Sequence, residues 1–369
     1  MGHPSLLMTV AAFLLLLGPL VLVHELGHYL VGRWCGVHAD AFSIGFGREI
    51  FGWTDRRGTR WKVSMLPLGG YVQFAGDMNA ASMPVDNIPL SLAERERCFH
   101  FKPLWQRSLI VLAGPLTNLI VAVLVFAAFN MAYGKIVALP VVADFANPSP
   151  AQAAGMRVGD RITAIDGHPI SGFEQIREII VPIPGETVPV SVDRGGDHMT
   201  FTVTVASRSV QDEFGNSSRI GQIGIAAGAV QHVRMGPISA VGEGVRQSIG
   251  IMGTMVTGLR QIVTGRRSVS ELGGPIKIAQ YSGERLALGW PQFVYFAALI
   301  SINLAFINLL PIPALDGGHL AFYVAEAIRR RPLDVRSQEW AFRTGLAFVL
   351  ALMLFVTLND LVSLNLFGR

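Results

Sequence analysis

The residues with the clearest chemical capacity are His24-Glu25-Leu26-Gly27-His28, an H-E-x-x-H pentapeptide that continues an apolar run from Leu6 to Val23. On a helix, positions four apart share a face, so His24 and His28 can offer imidazole nitrogen to one Zn²⁺ ion. Glu25 then stands beside them as a general base. The chemistry is metal-assisted hydrolysis, and the run around it places that chemistry at membrane depth. The bland alternative is a pair of interfacial histidines beside a snorkelling glutamate. Ionisable groups in an apolar helix are costly, however, and by default serve a function.

Two histidines do not complete a catalytic zinc centre, which uses three protein ligands and leaves a fourth position for water. The candidate third ligand is Asp316, at the end of the apolar run Asn308-Leu309-Leu310-Pro311-Ile312-Pro313-Ala314-Leu315 and followed by Gly317-Gly318-His319. His24 precedes the first basic residue, Arg33, by nine positions, about 13 Å of helix; Asp316 precedes Arg329 by thirteen, about 20 Å at most, which Gly317-Gly318 should shorten. If both segments approach the same membrane face, the ligands meet at similar depth. His319, one turn further on, is an alternative ligand and is preferred as a supporting group; Glu326 and Asp360 lie nearer an interface and are poorer candidates. Pro311 and Pro313 remove two backbone donors and disfavour helix before them, so the chain should unwind beside Asp316. Unwound backbone at that depth suits the lining of a polar cavity, and Asn308 can both donate and accept hydrogen bonds to an extended peptide.

The elements that must position these residues belong to a membrane protein. Apolar residues make up 51% of the 369 and charged residues only 15%, below the usual soluble share of about 25%. No basic run interleaved with aromatics points to nucleic acid, which is excluded as a partner. Four stretches are long enough to span a bilayer: about 6–32, 109–133, 292–315 and 345–366. The short connection Arg329 to Arg343 carries five arginines against Asp334 and Glu339 and is read as cytoplasmic; the first connection, with ten Lys and Arg residues from Arg33 to Arg107, joins it. Both termini and the long segment between spans two and three are then extracytoplasmic. Trp34, Trp105 and Trp340 sit at basic span ends as interfacial anchors. The first span is expected to be a retained helix rather than a signal peptide, and no transit segment precedes it, which favours a bacterial origin. Cys35 and Cys98 are expected as free thiols.

In the first connection, apolar strand patterns flank the charged turn Asp55-Arg56-Arg57-Gly58, suggesting a β-hairpin that dips toward the site from the cytoplasmic side. Gly45 and Phe46 in one arm, and Gly69 and Gly70 in the other, are its candidate substrate contacts, since an exposed strand can pair with an unwound peptide. Between spans two and three the chain turns β-rich. Strands are expected at Val137–Ala143, Thr187–Val192 and Met199–Val205 and a helix at Gly172–Val181, with Ile220–Ala227 closing the domain. The string from Ala153 to Ile162, followed by Ile165-Asp166-Gly167, looks like a PDZ module; a generic small β domain is the alternative. Ser239 to Thr264 should form one amphipathic helix lying on the membrane, with a fifth span as the competing reading. The expected architecture is a polytopic α-helical membrane protein of about four transmembrane helices, with a re-entrant hairpin and one extracytoplasmic PDZ-like α+β domain. Its parts are 1–133 (two helices and hairpin), 134–235 (PDZ-like), 236–290 (amphipathic helix and linker) and 291–369 (two helices).

Taken together, HELGH, SIGFG, PLGGYVQFAG, AGPLTN at Ala113–Asn118, ELGGPIKIAQ at Glu271–Gln280 and NLLPIPALDGGH resemble the site-2 protease family of intramembrane zinc metalloproteases, most closely its bacterial regulator-of-sigma-E branch. The resemblance implies one Zn²⁺ held by His24, His28 and Asp316, Glu25 as base, and Asn308 with Pro311 and Pro313 contacting substrate. It also implies a multi-pass protein of the bacterial inner membrane with its active site toward the cytoplasmic side, acting on single-pass membrane proteins such as trimmed anti-sigma factors or on leftover signal peptides. Members of that branch commonly carry two tandem PDZ modules; here there is room for one. The rival readings are a non-proteolytic PDZ-bearing scaffold, against which the intact Glu25 argues, and a zinc sensor or transporter, for which no second polar path is present.

Overall fold

The computed structural model describes residues 5–76, 91–211, 217–228, 230–264, 273–331 and 333–363. Glu271 and Leu272 of the ELGGPIKIAQ motif, and residues 364–366 at the expected end of the fourth span, lie outside the described residues. Contacts divide the chain into two compact units, one of residues 1–127, 241–259 and 269–369, the other of 128–240 and 260–268.

The first unit begins with α1 (Leu6–Trp34), whose start is capped by Ser5 accepting from the Met8 N–H at 3.3 Å; it runs unbroken through HELGH despite Pro19. Strands β1 (Ala39–Thr54) and β2 (Arg60–Phe74) form the expected hairpin. Its turn is held by the Asp55 carboxylate, which accepts from Arg57 N at 2.8 Å, Thr59 N at 3.0 Å and Trp61 Nε1 at 3.0 Å. The two strands fold over each other, so that Phe42 lies opposite both Val72 and Trp61. A short helix α2 (Leu92–Arg97) with a Ser91/Glu94 capping box leads to α3 (Leu104–Tyr133). Cys35 and Cys98 remain thiols, with Cys98 Sγ donating to Glu94 O at 3.2 Å.

The second unit is built on β3 (Lys135–Ala138), β4 (Val142–Phe145), α4 (Pro150–Ala153), β5 (Arg161–Ile165), β6 (His168–Pro169), α5 (Phe173–Ile180), β7 (Thr187–Arg194), β8 (Asp197–Thr204), β9 (Ala206–Gln211), β10 (Ser217–Gln222), β11 (Ile225–Ala227) and β12 (Val230–Val233). The single strand expected over Val137–Ala143 is split around Pro140, which has no N–H to give a ladder. A four-stranded sheet in the order β6-β5-β7-β8 carries the core: Val188, Val190 and Val192 alternate inward along β7 and meet Ile176 and Ile180 of α5. Asp160, 1% exposed, locks the turn before β5. It accepts from Arg194 Nε at 2.7 Å, Arg194 Nη2 at 2.8 Å and the Arg157 N–H at 2.8 Å.

Returning to the first unit, α6 (Pro237–Val263) is one long helix, as expected, but it divides its apolar residues: Ile251, Met252 and Met255 pack on Ala122 and Phe126 of α3 and on Ala298 and Ile302. Val241, Val245, Ile249, Val256 and Leu259 stay partly exposed. The segment read as a linker contains α7 (Pro275–Ala287), whose N-terminus is capped by the fully buried Asp360, accepting from Gly274 N at 3.0 Å and Lys277 N at 3.1 Å. Next come α8 (Trp290–Leu309), α9 (Asp316–Arg329), closed by Arg330 in the left-handed region, and α10 (Val335–Ser363). The third span ends six residues before the expected Leu315, at the proline pair. The last helix starts ten residues before the expected Gly345, because hydropathy marks the apolar window and not the polar turn that precedes it. The helices Leu6–Trp34, Leu104–Tyr133 and Trp290–Leu309 and the stretch Arg336–Leu361 are each long and apolar enough to cross a membrane.

The Arg194 guanidinium, through its hydrogen bonds, holds the Asp160 carboxyl below the usual carboxylate range. A group whose acidity is raised by folding stabilises the fold above its unfolded pKa and loses that contribution as pH falls toward its folded value. Asp160→Ala is expected to lower hydrogen-exchange protection in β5 and β7 by roughly tenfold or more at neutral pH. The difference from wild type should shrink on acidification below about pH 4.

Candidate metal centre

In α1 the one-turn spacing of His24 and His28 brings their Nε2 atoms to 3.2 Å. Asp316 Oδ2 lies 3.2 Å from His24 Nε2 and 3.5 Å from His28 Nε2, and the three side chains are 11%, 12% and 19% exposed. Among the described residues these three form the cluster able to hold a metal ion. Asp316 Oδ2 is buried yet has no hydrogen-bond partner of acceptable geometry. Four ligands at about 2.0–2.1 Å around a tetrahedral zinc lie roughly 3.3–3.4 Å from one another, so the observed separations fit that ion. An orphaned carboxylate oxygen facing two imidazole nitrogens is the arrangement a cation would complete.

Helix α3 supplies support that sequence reasoning left without a role. His28 Nδ1 is 2.8 Å from the Ile110 carbonyl, which can only accept; Nδ1 therefore carries a proton, and Nε2 is the ring nitrogen turned to the cluster. A Cβ on Gly114 would overlap His28 Nε2 and stand 2.9 Å from His24 Cε1, so only glycine leaves room for both rings. One Cβ on Gly27 would come within 2.6 Å of the Ala113 carbonyl, which fixes how closely α1 and α3 approach. Asn118, fully buried, sits 3.4 Å from His24 Nδ1. The signal in the sequence was the AGPLTN string, quoted as a motif but not connected to the histidines.

Asp316 follows a break in the helix, as the prolines implied. After Leu309 the backbone makes a tight turn, with Ile312 N donating to Leu310 O at 2.7 Å and Leu315 N to Ile312 O at 3.0 Å, and Ala314 adopts a φ of 84°. Asp316 opens α9, where a carboxylate is favoured by the helix dipole. Gly317 and Gly318 do not shorten the helix, contrary to expectation: both lie in its first turn. Side chains there would overlap the Leu310 and Ile312 carbonyls, so the glycines let the unwound strand cross the helix start. His319 lines the same cavity without joining the three donors. Glu326 pairs with Arg107 at 3.0 Å, and Asp360 caps α7; neither reaches the cluster.

The donors open into a cavity of about 680 Å³ that also takes in Glu25, Phe46, Gly69, Gly70 and Asn308. Gly70 is where the hairpin meets Glu25, since a Cβ there would be 3.2 Å from Glu25 Cγ. Residues 70–74 of β2 pair with residues 39–44 of β1. Pro311, Pro313 and Gly45 are outside the lining; the prolines shape the turn, and Gly45, at φ 91°, lets β1 pass within reach of the Leu66 carbonyl.

Spanning helices around a two-histidine, one-carboxylate centre with an adjacent glutamate define a zinc metalloprotease of the membrane. The chain belongs to peptidase family M50, the family of the site-2 proteases, whose model matches residues 12–352. It is 45% identical over 365 residues to a protein of Agrobacterium fabrum that carries the provisional name zinc metalloprotease Atu1380, with 96% of each chain covered. The metalloprotease MmpA of Caulobacter vibrioides is 36% identical over 387 residues, covering 98% of this chain and 97% of that one. Among solved structures, the PDZ domain of the SdrC-like protein Lin2157 of Listeria innocua is 24% identical, covers 26% of this chain and 98% of its own, and superposes with a TM-score of 0.20.

Replacing Gly114 by Ala drives a methyl group into His28 and should weaken zinc binding at least roughly tenfold. Gly18→Ala, in open space on α1, is the control and should leave affinity unchanged. Chelator competition on the purified proteins makes the comparison.

Proposed function

We propose that the protein is an intramembrane endopeptidase that hydrolyses a peptide bond within the transmembrane segment of single-pass membrane proteins, of the anti-sigma-factor type or remnant signal peptides. His24, His28 and Asp316 are its zinc ligands and Glu25 its general base. The observation that carries this reading is that Glu25 and the three donor side chains open into one cavity, which Gly69 and Gly70 of β2 and Asn308 also line.

Bound zinc supplies a Lewis acid that polarises the scissile carbonyl and makes a water molecule more acidic. Glu25 takes the proton of the attacking water and passes it to the leaving amine. A transmembrane helix hides its carbonyls in its own hydrogen bonds, so several residues must be drawn out before attack. The β2 backbone beside Gly70 borders the space in which an extended segment would lie, and the Asn308 amide, which also lines it, can both donate to and accept from that segment. Phe46, stacked on Tyr71 at 6.0 Å, closes the near wall. In this reading the hairpin is re-entrant from the cytoplasmic face, both termini lie outside, and the β-rich unit is a single extracytoplasmic PDZ-like module that screens substrates before they enter.

Glu25→Gln should retain zinc and lose cleavage of a reporter transmembrane substrate by roughly 10²–10⁴-fold. Cleavage that persists in the variant sinks the assignment of the base; zinc binding without cleavage in wild type favours a sensor or scaffold. Placing Gly or Asn in the reporter helix should speed hydrolysis relative to a poly-leucine helix, and equal rates would remove the unwinding step.

A further inference from the structure

Residues Ile110, Gly114 and Asn118 follow one another at intervals of four along α3, on a single helix face turned to the histidines. Ile110 accepts the proton of His28 Nδ1, and Gly114 makes space for the two rings. The third member of the row faces His24 with its hydrogen bonding incomplete. Asn118 Nδ2 lies 3.4 Å from His24 Nδ1, while its Oδ1 is buried with no hydrogen-bond partner. His24 Nε2 points at His28 Nε2 and Asp316 Oδ2. An imidazole that gives its Nε2 lone pair to a metal keeps its proton on Nδ1. With Nδ2 facing that proton, two donors would oppose each other in a buried site while an acceptor went unused.

Resting on the ligand assignment made above, we propose that Asn118 is the positioning residue of the metal ligand His24, with its amide turned so that Oδ1 accepts the His24 Nδ1 proton. Turning the amide exchanges groups of nearly equal size, so the packing is unchanged. It satisfies the orphaned oxygen and fixes the His24 tautomer, as Ile110 fixes that of His28. The Asn118 main chain is itself anchored. Its backbone carbonyl accepts from the fully buried Ser301 Oγ on α8 at 2.7 Å, holding this turn of α3 in place. Both histidines are thus oriented by one face of one helix, through a main-chain carbonyl and a side-chain carbonyl.

The test is zinc affinity by chelator competition on full-length protein in detergent, with melting of the zinc-free protein measured alongside. Asn118→Leu, which has no acceptor, should raise the zinc Kd by roughly 10–100-fold, with zinc-free melting unchanged. Asn118→Asp, which can only accept, should stay within about threefold of wild type. Wild-type affinity in the leucine variant, or an aspartate variant as weak as leucine while still folded, overturns the proposal. If the aspartate variant does not fold, imidazole ¹⁵N spectra of the zinc-loaded wild type decide it: His24 Nδ1 must be protonated, and a bare Nδ1 overturns it. His24→Ala separates the two levels. Zinc affinity that survives this change removes the ligand assignment itself, whereas zinc lost in His24→Ala but kept in Asn118→Leu removes only the role of Asn118.

Discussion

Bringing three donor atoms from two distant helices within 3.5 Å of one another requires main chain to approach main chain more closely than ordinary side chains allow. That requirement organises the first unit. Gly27 and Gly114 set the distance between α1 and α3, Gly317 and Gly318 let the unwound strand cross the start of α9, and Gly345 of α10 meets Pro313 where a side chain would overlap its carbonyl. Gly70 lets the hairpin rest on Glu25. In a bilayer the hydrophobic effect does little to press helices together, and small residues that permit close packing and hydrogen bonding do more of that work. The glycines around this centre follow that logic, each answering to a particular carbonyl or ring.

The sequence made one half of the site legible and left the other half obscure. The spacing of His24 and His28 is a helical pattern visible without a structure. Asp316 could be found because a carboxylate at the end of an apolar run is costly unless something cationic meets it, and the two prolines beside it mark a break where that meeting can occur. The proline pair also foretold the break after α8. What α3 contributes was hidden, because a carbonyl acceptor such as that of Ile110 has no residue signature, and Gly114 and Asn118 look like ordinary helix composition until their neighbours are known. Helix α7 was missed because its stabilising partner, Asp360, lies more than eighty positions away.

Asp360 also qualifies the rule that an ionisable group in an apolar helix marks function. Fully buried in α10, it accepts from two backbone N–H groups at the start of α7, with Lys277 Nζ 3.8 Å away. The helix terminus supplies donors that would otherwise be unsatisfied, so each group removes the other's cost. Glu326, paired with Arg107 while that guanidinium lies 5.0 Å from the Tyr323 ring, is a second carboxylate whose partners account for it. Asp316 differs from both in that its inner oxygen has no such partner among the described residues.

The third donor begins a helix, whereas the first two lie deep within one. On the ligand assignment proposed here, zinc therefore joins α1, near the start of the chain, to α9, near its end, with most of the protein strung between them. An ion in that position behaves as a reversible cross-link, restricting the separation of two segments whose encounter in an unlinked chain would carry a loop-closure cost. The same coordination that readies the centre for hydrolysis would then also keep the bundle closed around it.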